Sequence, residues 1–274
     1  MRGFSRLVHR HRKFLEYISE FEGSGSIDLS LDGAGYGEMV LNNSEKKGSI
    51  SSPMMLDLAA HIDTLIHDEK GITGLALRSR GSIFSAGLDL NLAKGLINTG
   101  EKGALMYDFM SDALSRLRGA PFVSVACLQG HAIGGGLELA TATDYRIVVK
   151  KKEIYLQSVH AKIGAAPGWG GLSRTVDIIG RKDALTMYGT SQRVSAELGA
   201  ELGLVDHIEE YNGKEEDFDD YCSSASRSFL DPFLSQPYHG SIRGIKSTVA
   251  APEVEGCVFE ERWMGPDMQD ALNK

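Results

Sequence analysis

Apolar positions along the chain change their spacing several times, and each change marks an element. Phe4, Leu7, His11, Phe14, Leu15, Ile18 and Phe21 recur at helical spacing and predict an amphipathic N-terminal helix. After Gly23-Ser24-Gly25, the alternation of Ile27, Leu29 and Leu31 predicts a strand. Asp32-Gly33-Ala34-Gly35 reads as a turn and residues 36–41 as its hairpin partner. Ser52-Pro53 sets a capping hydroxyl before a proline at the first helical position, opening a helix through Met54, Met55, Leu58, Ile62 and Leu65. A strand at 72–77, a loop at 79–89, a helix near 104–117 and a strand at 122–128 follow. A glycine loop then opens a helix at Gly135, and strands are predicted at 145–149 and 154–159. From Gly168 the pattern is mostly helical, with one strand at 205–208 and helices near 216–229, 241–249 and 253–263. Strand, strand and helix thus repeat before a helical tail, which predicts an α/β protein whose repetition is architectural, without repeated sequence.

Composition narrows the function. The chain has 274 residues, enough for one large domain or two small ones. Lysine plus arginine is 29 against 37 aspartate plus glutamate, and the net charge of −8 argues against a dedicated nucleic-acid binder. No apolar run approaches the roughly 18 residues of a membrane span. Cys127, Cys222 and Cys257 fit neither a disulfide framework nor a zinc site. The N-terminus carries Arg2, Arg6, Arg10, Arg12 and Lys13 without an acid before Glu16, as a mitochondrial presequence does, but its helical periodicity equally suits a helix of the mature protein.

Two glycine-rich loops each lie between a predicted strand and a predicted helix, where unpaired backbone N–H groups favour negative charge. One is Phe84-Ser85-Ala86-Gly87-Leu88-Asp89-Leu90; the other runs from Gly130 through Gly134-Gly135-Gly136 to Glu138. Together they offer two converging donors for an oxyanion. A third segment, Gly164-Ala165-Ala166-Pro167-Gly168-Trp169-Gly170-Gly171, follows in order.

On these three motifs, the region from about Ser26 to Ile208 resembles the crotonase (enoyl-CoA hydratase/isomerase) superfamily. The resemblance implies a crotonase-like spiral of stacked ββα units with a C-terminal helical segment. It divides the chain into an N-terminal basic helical segment at 1–25, a spiral core with a CoA-thioester site at 26–208, and a helical oligomerisation segment at 209–274. It places the N–H groups of Leu88 and Gly135 in an oxyanion hole, with Ala86, Gly87, Asp89, Gly134, Pro167 and Trp169 around the substrate. Trp169 is expected as a pocket wall.

Hydratases of the superfamily use two glutamates. The first is present as Glu138, but the second position, four residues before Gly164, holds His160. Water addition asks two groups to manage two proton transfers, so this replacement disfavours hydration. Loss of carbon dioxide from a 2-carboxyacyl thioester needs an oxyanion hole and one acid. The chain is most similar to the ethylmalonyl-CoA decarboxylase branch, through Gly25-Ser26-Ile27-Asp28-Leu29, Leu41-Asn42-Asn43, Met54-Met55-Leu56, His160, Pro167 to Gly171 and Trp263-Met264-Gly265-Pro266. That similarity implies decarboxylation of ethylmalonyl-CoA, and also of methylmalonyl-CoA, as a clean-up step in fatty-acid metabolism. Glu138 would be the proton donor and His160 would orient the carboxylate. Gly168 stands where this branch is expected to carry serine.

The alternatives are an enoyl-CoA hydratase or isomerase working with Glu138 alone, a non-catalytic CoA-binding homologue, and an RNA-binding one. His131 reads as packing, and Lys46, Lys47, Arg78 and Arg80 border the expected CoA path. No metal-ligand spacing or nucleotide fingerprint is present, so no cofactor is expected, coenzyme A entering as part of the substrate. The resemblance implies homotrimers or hexamers and a cytosolic location, whereas the basic N-terminus points to mitochondria.

Overall fold

The computed structural model describes residues 2–68, 71–95 and 99–273, with side chains from residue 11 onward. The chain opens on α1 (Arg2–Ser19), the hairpin β1 (Ser26–Leu31) and β2 (Tyr36–Asn42), and α2 (Ser52–His67). β3 (Gly74–Ser79), β4 (Ile83–Ser85), α3 (Leu90–Gly95) and α4 (Gly100–Gly119) follow. Next come β5 (Val123–Leu128), β6 (His131–Ile133), α5 (Gly135–Ala140), β7 (Tyr145–Lys150), β8 (Tyr155–Gln157) and α6 (Gly171–Gly189). β9 (Arg193–Ser195), α7 (Ala196–Leu202) and β10 (His207–Glu210) complete the strands, and α8 (Phe218–Leu234), α9 (His239–Ala250), α10 (Glu255–Arg262) and α11 (Pro266–Leu272) close the chain.

The strands form two sheets. One has six strands in the order β1-β2-β3-β5-β7-β10; the other has four, β4-β6-β8-β9. Pairing is parallel except in β1–β2 and β8–β9. Each strand pair β3/β4, β5/β6 and β7/β8 gives its first strand to the large sheet and its second to the small one before the chain turns into helix. This is the predicted strand-strand-helix repeat, wound as a spiral.

The central strands are buried on both faces, as parallel strands covered by helices must be. Leu75, Leu77, Ala126 and Leu128 enter the main core, while Ala76, Val125 and Cys127 enter a second one with Cys222, Ala225 and Leu230 of α8. The N-terminal periodicity is realised in α1: Phe14 and Ile18 are buried in the main core, and the Phe14 ring lies 5.2 Å from that of Phe109 on α4. Phe4 and Leu7 have side chains outside the described residues.

Several elements differ from the sequence reading. Three-residue strands β4 and β6 lie inside segments read as loops, and β9 inside one read as helical, because three residues show too little alternation to register unless apolar neighbours extend it, as Ile154 does for the equally short β8. The strand predicted at 205–208 begins at His207, since the N–H groups of Leu204 and Val205 both turn to Gly199 O at the end of α7. The predicted strand at 72–77 pairs from Gly74 to Ser79, with the Thr73 and Gly74 N–H groups closing on Gly35 O. Ser52, predicted to supply the capping hydroxyl, already lies inside α2; Ser51 holds the N-cap position, and its hydroxyl makes no capping bond.

Arg78, expected beside the CoA path, is instead 5% exposed between β2, β3 and α8. Its Nη2 donates to Glu38 Oε2 at 3.0 Å and its Nη1 to Asp219 Oδ1 at 2.6 Å, a cation spent on joining α8 to the sheet. Burial works to raise the Glu38 carboxyl, but Arg78 and the Ser223 hydroxyl outweigh it and hold it below the ordinary carboxylate range.

Candidate active site

Three loops meet where the two sheets give way to helices. The first follows β4. Ile50 N–H donates to Gly87 O at 2.7 Å, and Asp89 N–H to Ile50 O at 3.0 Å, a parallel bridge that turns the N–H of the intervening Leu88 away from Ile50. Ser85 Oγ donates to Gly48 O at 2.6 Å and accepts from Gly87 N–H at 3.1 Å, fixing the bend, while Ala86 N–H binds Lys47 O at 3.0 Å.

The second loop follows β6. Gly134 sits at φ 55°, a region that favours glycine, and donates its N–H to Gln157 O at 2.8 Å. Gly135 then opens α5 with an N–H that has no intrahelical partner. The approach of the two loops is close: a Cβ on Gly87 would come 2.7 Å from Gly135 N, and one on Gly136 would come 2.3 Å from Ser85 O. Among the described residues neither the Leu88 nor the Gly135 N–H meets a protein acceptor.

The third loop wraps the carboxylate of Glu138, which α5 holds at 1% exposure. Oε1 accepts the N–H groups of Trp169 at 2.8 Å and Gly171 at 2.9 Å. Oε2 accepts the Gly168 N–H at 3.3 Å and faces His160 Nε2 at 3.4 Å. His160 Nδ1 is 2.9 Å from Ser158 Oγ. Only glycine fits at 171, where a Cβ would lie 2.3 Å from Glu138 Cγ. A donor-filled Oε1 leaves Oε2 as the oxygen free to exchange a proton with a neighbour.

The structure therefore brings together Leu88, Gly135, Glu138 and His160, with Gly87 and Gly134 shaping the loops around them. Trp169 is 2% exposed in the main core, and the edge of its ring lies against Gly135, whose Cβ would be 2.6 Å from it. Pro167 is half-buried in the third loop. A Cβ on Gly168 would make only an ordinary 3.5 Å contact with Met106 Cε, so the absence of a side chain there leaves space beside α4. Asp89, expected beside the substrate, has its carboxylate engaged within the protein. Its Oδ1 accepts the N–H groups of Asn91 and Leu92 at 2.7 and 3.3 Å, capping α3, and its Oδ2 pairs with Lys46 at 3.3 Å.

Other side chains singled out by the sequence lie elsewhere. His131 stacks on Tyr155 with ring centroids 3.7 Å apart and accepts the Tyr155 N–H through Nδ1 at 3.1 Å, a packing role. Burial pushes its imidazole below the ordinary value, helped by Lys152 and Arg193. Arg80 is exposed and pairs with Asp219 at 3.3 Å. Cys127 and Cys222 are buried free thiols and Cys257 is exposed. Two site residues had no sequence signal: Ser158, at the end of a strand, and Arg174, a single cation in a helix. Among the described residues no helix is long and apolar enough to cross a membrane.

Residues 32–216 match the enoyl-CoA hydratase/isomerase family. Over 264 residues the chain is 34% identical to the ethylmalonyl-CoA decarboxylase of Bos taurus, an alignment covering 93% of this chain and 83% of the relative. With the protein of the same name from Xenopus tropicalis it shares 35% identity over 237 residues, covering 86% and 75%. Among solved structures, an enoyl-CoA hydratase from Bacillus anthracis superposes with a TM-score of 0.76 at 20% identity, covering 90% of this chain and 95% of that one. That likeness establishes the spiral architecture. With its three loops around a shared site and this match across two thirds of its length, the chain belongs to the enoyl-CoA hydratase/isomerase family.

Proposed function

We propose that this chain is a lyase that decarboxylates 2-alkylmalonyl-CoA thioesters, ethylmalonyl-CoA first and methylmalonyl-CoA also. The carrying observation is that Glu138 Oε2 faces an imidazole, His160 Nε2, at 3.4 Å, where a hydratase would present a second carboxylate. The names borne by the bovine and frog relatives support the same reading.

In this reading the Leu88 and Gly135 N–H groups hold the thioester oxygen. The bond between the α-carbon and its carboxylate breaks, carbon dioxide leaves, and the electron pair becomes the enolate whose oxygen those two donors stabilise. Loss of one such donor costs roughly 2.7–4 kcal/mol in comparable sites. His160 orients the departing carboxylate, and the proton that finally bonds the α-carbon comes from Glu138 Oε2. One proton enters and one carbon dioxide leaves for each thioester, with no bound cofactor, because coenzyme A arrives with the substrate. Leu88 and Gly135 contribute backbone atoms only, so their side-chain identities are free to set shape.

Self-association through the C-terminal helices belongs to the same proposal. Ile245 and Val249 on α9 are 61% and 73% exposed, and Phe259 and Trp263 at α10 are 59% and 56% exposed, an apolar surface suited to a second copy. Sedimentation is expected to give the mass of three or six chains; a monomer would contradict it.

The substrate class is tested by incubating purified protein with ethylmalonyl-CoA, methylmalonyl-CoA, malonyl-CoA and crotonyl-CoA. Carbon dioxide from the first two and negligible hydration of crotonyl-CoA are expected. Rapid crotonyl-CoA hydration without carbon dioxide from any malonyl thioester would instead establish a one-glutamate hydratase.

A further inference from the structure

Arg174 is a cation where a helix facing a protein interior has little use for one. It lies on α6 at 5% exposure, and its Nε is buried without a hydrogen-bond partner. Leaving a charged group's donor unpaired in the interior is costly, so its remaining contacts must be worth that cost. Those contacts converge on the site. The single Nη2 donates to Glu138 O at 2.8 Å and to Trp169 O at 2.8 Å. Trp169 in turn gives its N–H to Glu138 Oε1 at 2.8 Å. Arginine, glutamate and loop thus close a ring of hydrogen bonds that joins the second motif to the third.

We infer that Arg174 is a positioning residue: by fixing the Glu138 backbone and the Trp169 loop through one nitrogen, it aims Glu138 Oε2 at His160 and at the reacting carbon. This deepens the decarboxylase reading and rests on it for the identity of the reaction. Arg174 touches no substrate atom in this role. Its charge acts on the site as well, since burial pushes the guanidinium down to about 10 while the Glu138 carboxylate pulls it back up. The other titratable groups at the Glu138 side chain and behind it are His160, Tyr188 of α6, whose hydroxyl burial pushes up, and, further out, Arg118 of α4. His131 on the neighbouring β6 is turned to Tyr155.

Two variants separate positioning from simple packing. Lysine keeps the charge and offers several donors on one nitrogen but reaches less far; glutamine is shorter still, keeps a planar N–H donor group and loses the charge. Arg174→Gln is expected to lower kcat for ethylmalonyl-CoA by about 100-fold, the scale of a displacement of about 1 Å at a reacting centre, with KM nearly unchanged. The His160 ring resonances, read by NMR, are also expected to shift in Arg174→Gln, because losing both Nη2 bonds frees the Glu138 backbone and the Trp169 loop beside that ring. Arg174→Lys is expected to keep the wild-type His160 resonances and to lose only about tenfold in kcat, by the same positional scale.

Wild-type kcat in Arg174→Gln would overturn the inference, as would equal losses in both variants with parallel falls in melting temperature and unmoved His160 resonances. Should Arg174→Gln fail to fold, Arg174→Lys decides. Reduced kcat at unchanged KM and melting temperature supports positioning, and wild-type kcat refutes it. If the wild-type protein releases no carbon dioxide, the decarboxylase reading falls on its own, and the His160 resonances in the variants still decide the role of Arg174.

Discussion

Replacing Glu138 by glutamine is expected to slow decarboxylation of ethylmalonyl-CoA by a factor of about 100 or more, the contribution of a positioned proton carrier. The side chains have nearly the same shape. The glutamine oxygen can keep the N–H groups of Trp169 and Gly171, which hold Oε1 at 2.8 and 2.9 Å in the parent, so the fold around α5 should persist. What the variant loses is the exchangeable proton on the atom facing His160. An amide nitrogen there also confronts the Gly168 N–H, which donates to Oε2 at 3.3 Å in the parent, adding a local mismatch of two donors. Steady-state carbon dioxide release read alongside the melting temperature distinguishes chemistry from stability. A near-native melting temperature with lost turnover is the expected pair. Turnover within about threefold of the parent would move the proton to another group, with His160 first in line given its 3.4 Å separation from the carboxylate.

Arg78→Met is expected to destabilise the protein by about 3 kcal/mol or more at neutral pH, the usual consequence of leaving a buried charge without its partner. Glu38 would keep Ser223 Oγ at 2.8 Å and the Tyr36 hydroxyl at 3.3 Å but lose its only cation among the described contacts. The pH dependence follows from the direction of the Glu38 shift. In the parent, burial raises this carboxyl, but Arg78 and Ser223 outweigh it and hold it below its ordinary 4.5. The pair's contribution is therefore complete above about pH 4.5 and is lost as the pH falls through the lowered folded value. In the variant the uncompensated carboxylate is penalised most at neutral pH, and protonation relieves it. Urea unfolding at neutral and acidic pH should show the gap between parent and variant closing on acidification. A gap that is small at neutral pH, or that widens in acid, would contradict this role for Arg78.

The parts of the fold that the sequence made legible are those with enough residues to show a period. Strands β3, β5 and β7 each bury five or six of their six residues and stood out as apolar runs, whereas β4, β6 and β9, of three residues each, left no pattern; β8 is as short but was marked by the alternation of Ile154 and Leu156. Chemistry followed a similar rule. The glycine loops announced themselves by conformational need, but that Glu138 and His160 face each other is a property of the spiral, visible in the sequence only through motif resemblance.

Some signals were present but outweighed. Asp89 directly precedes a helical stretch and is followed by Asn91 and Leu92, whose N–H groups it caps, so its helix-capping role was readable from residue type alone. Arg78 directly follows the apolar run Leu75-Ala76-Leu77 within the same buried strand, a place where a cation needs a buried acid, and Glu38 supplies it from the adjacent strand. Ser158 and Arg174 could not be found this way. Their partners are set by chain crossings that no local spacing encodes, and an arginine in a helix is by default a solvated one.

Turnover of ethylmalonyl-CoA in D2O, followed by NMR, tests bond cleavage and reprotonation together. One carbon dioxide per thioester and butyryl-CoA carrying a single deuteron at its α-carbon are expected, with both signals lost in Glu138→Gln. Intact ethylmalonyl-CoA after prolonged incubation with folded protein would contradict decarboxylation at this site.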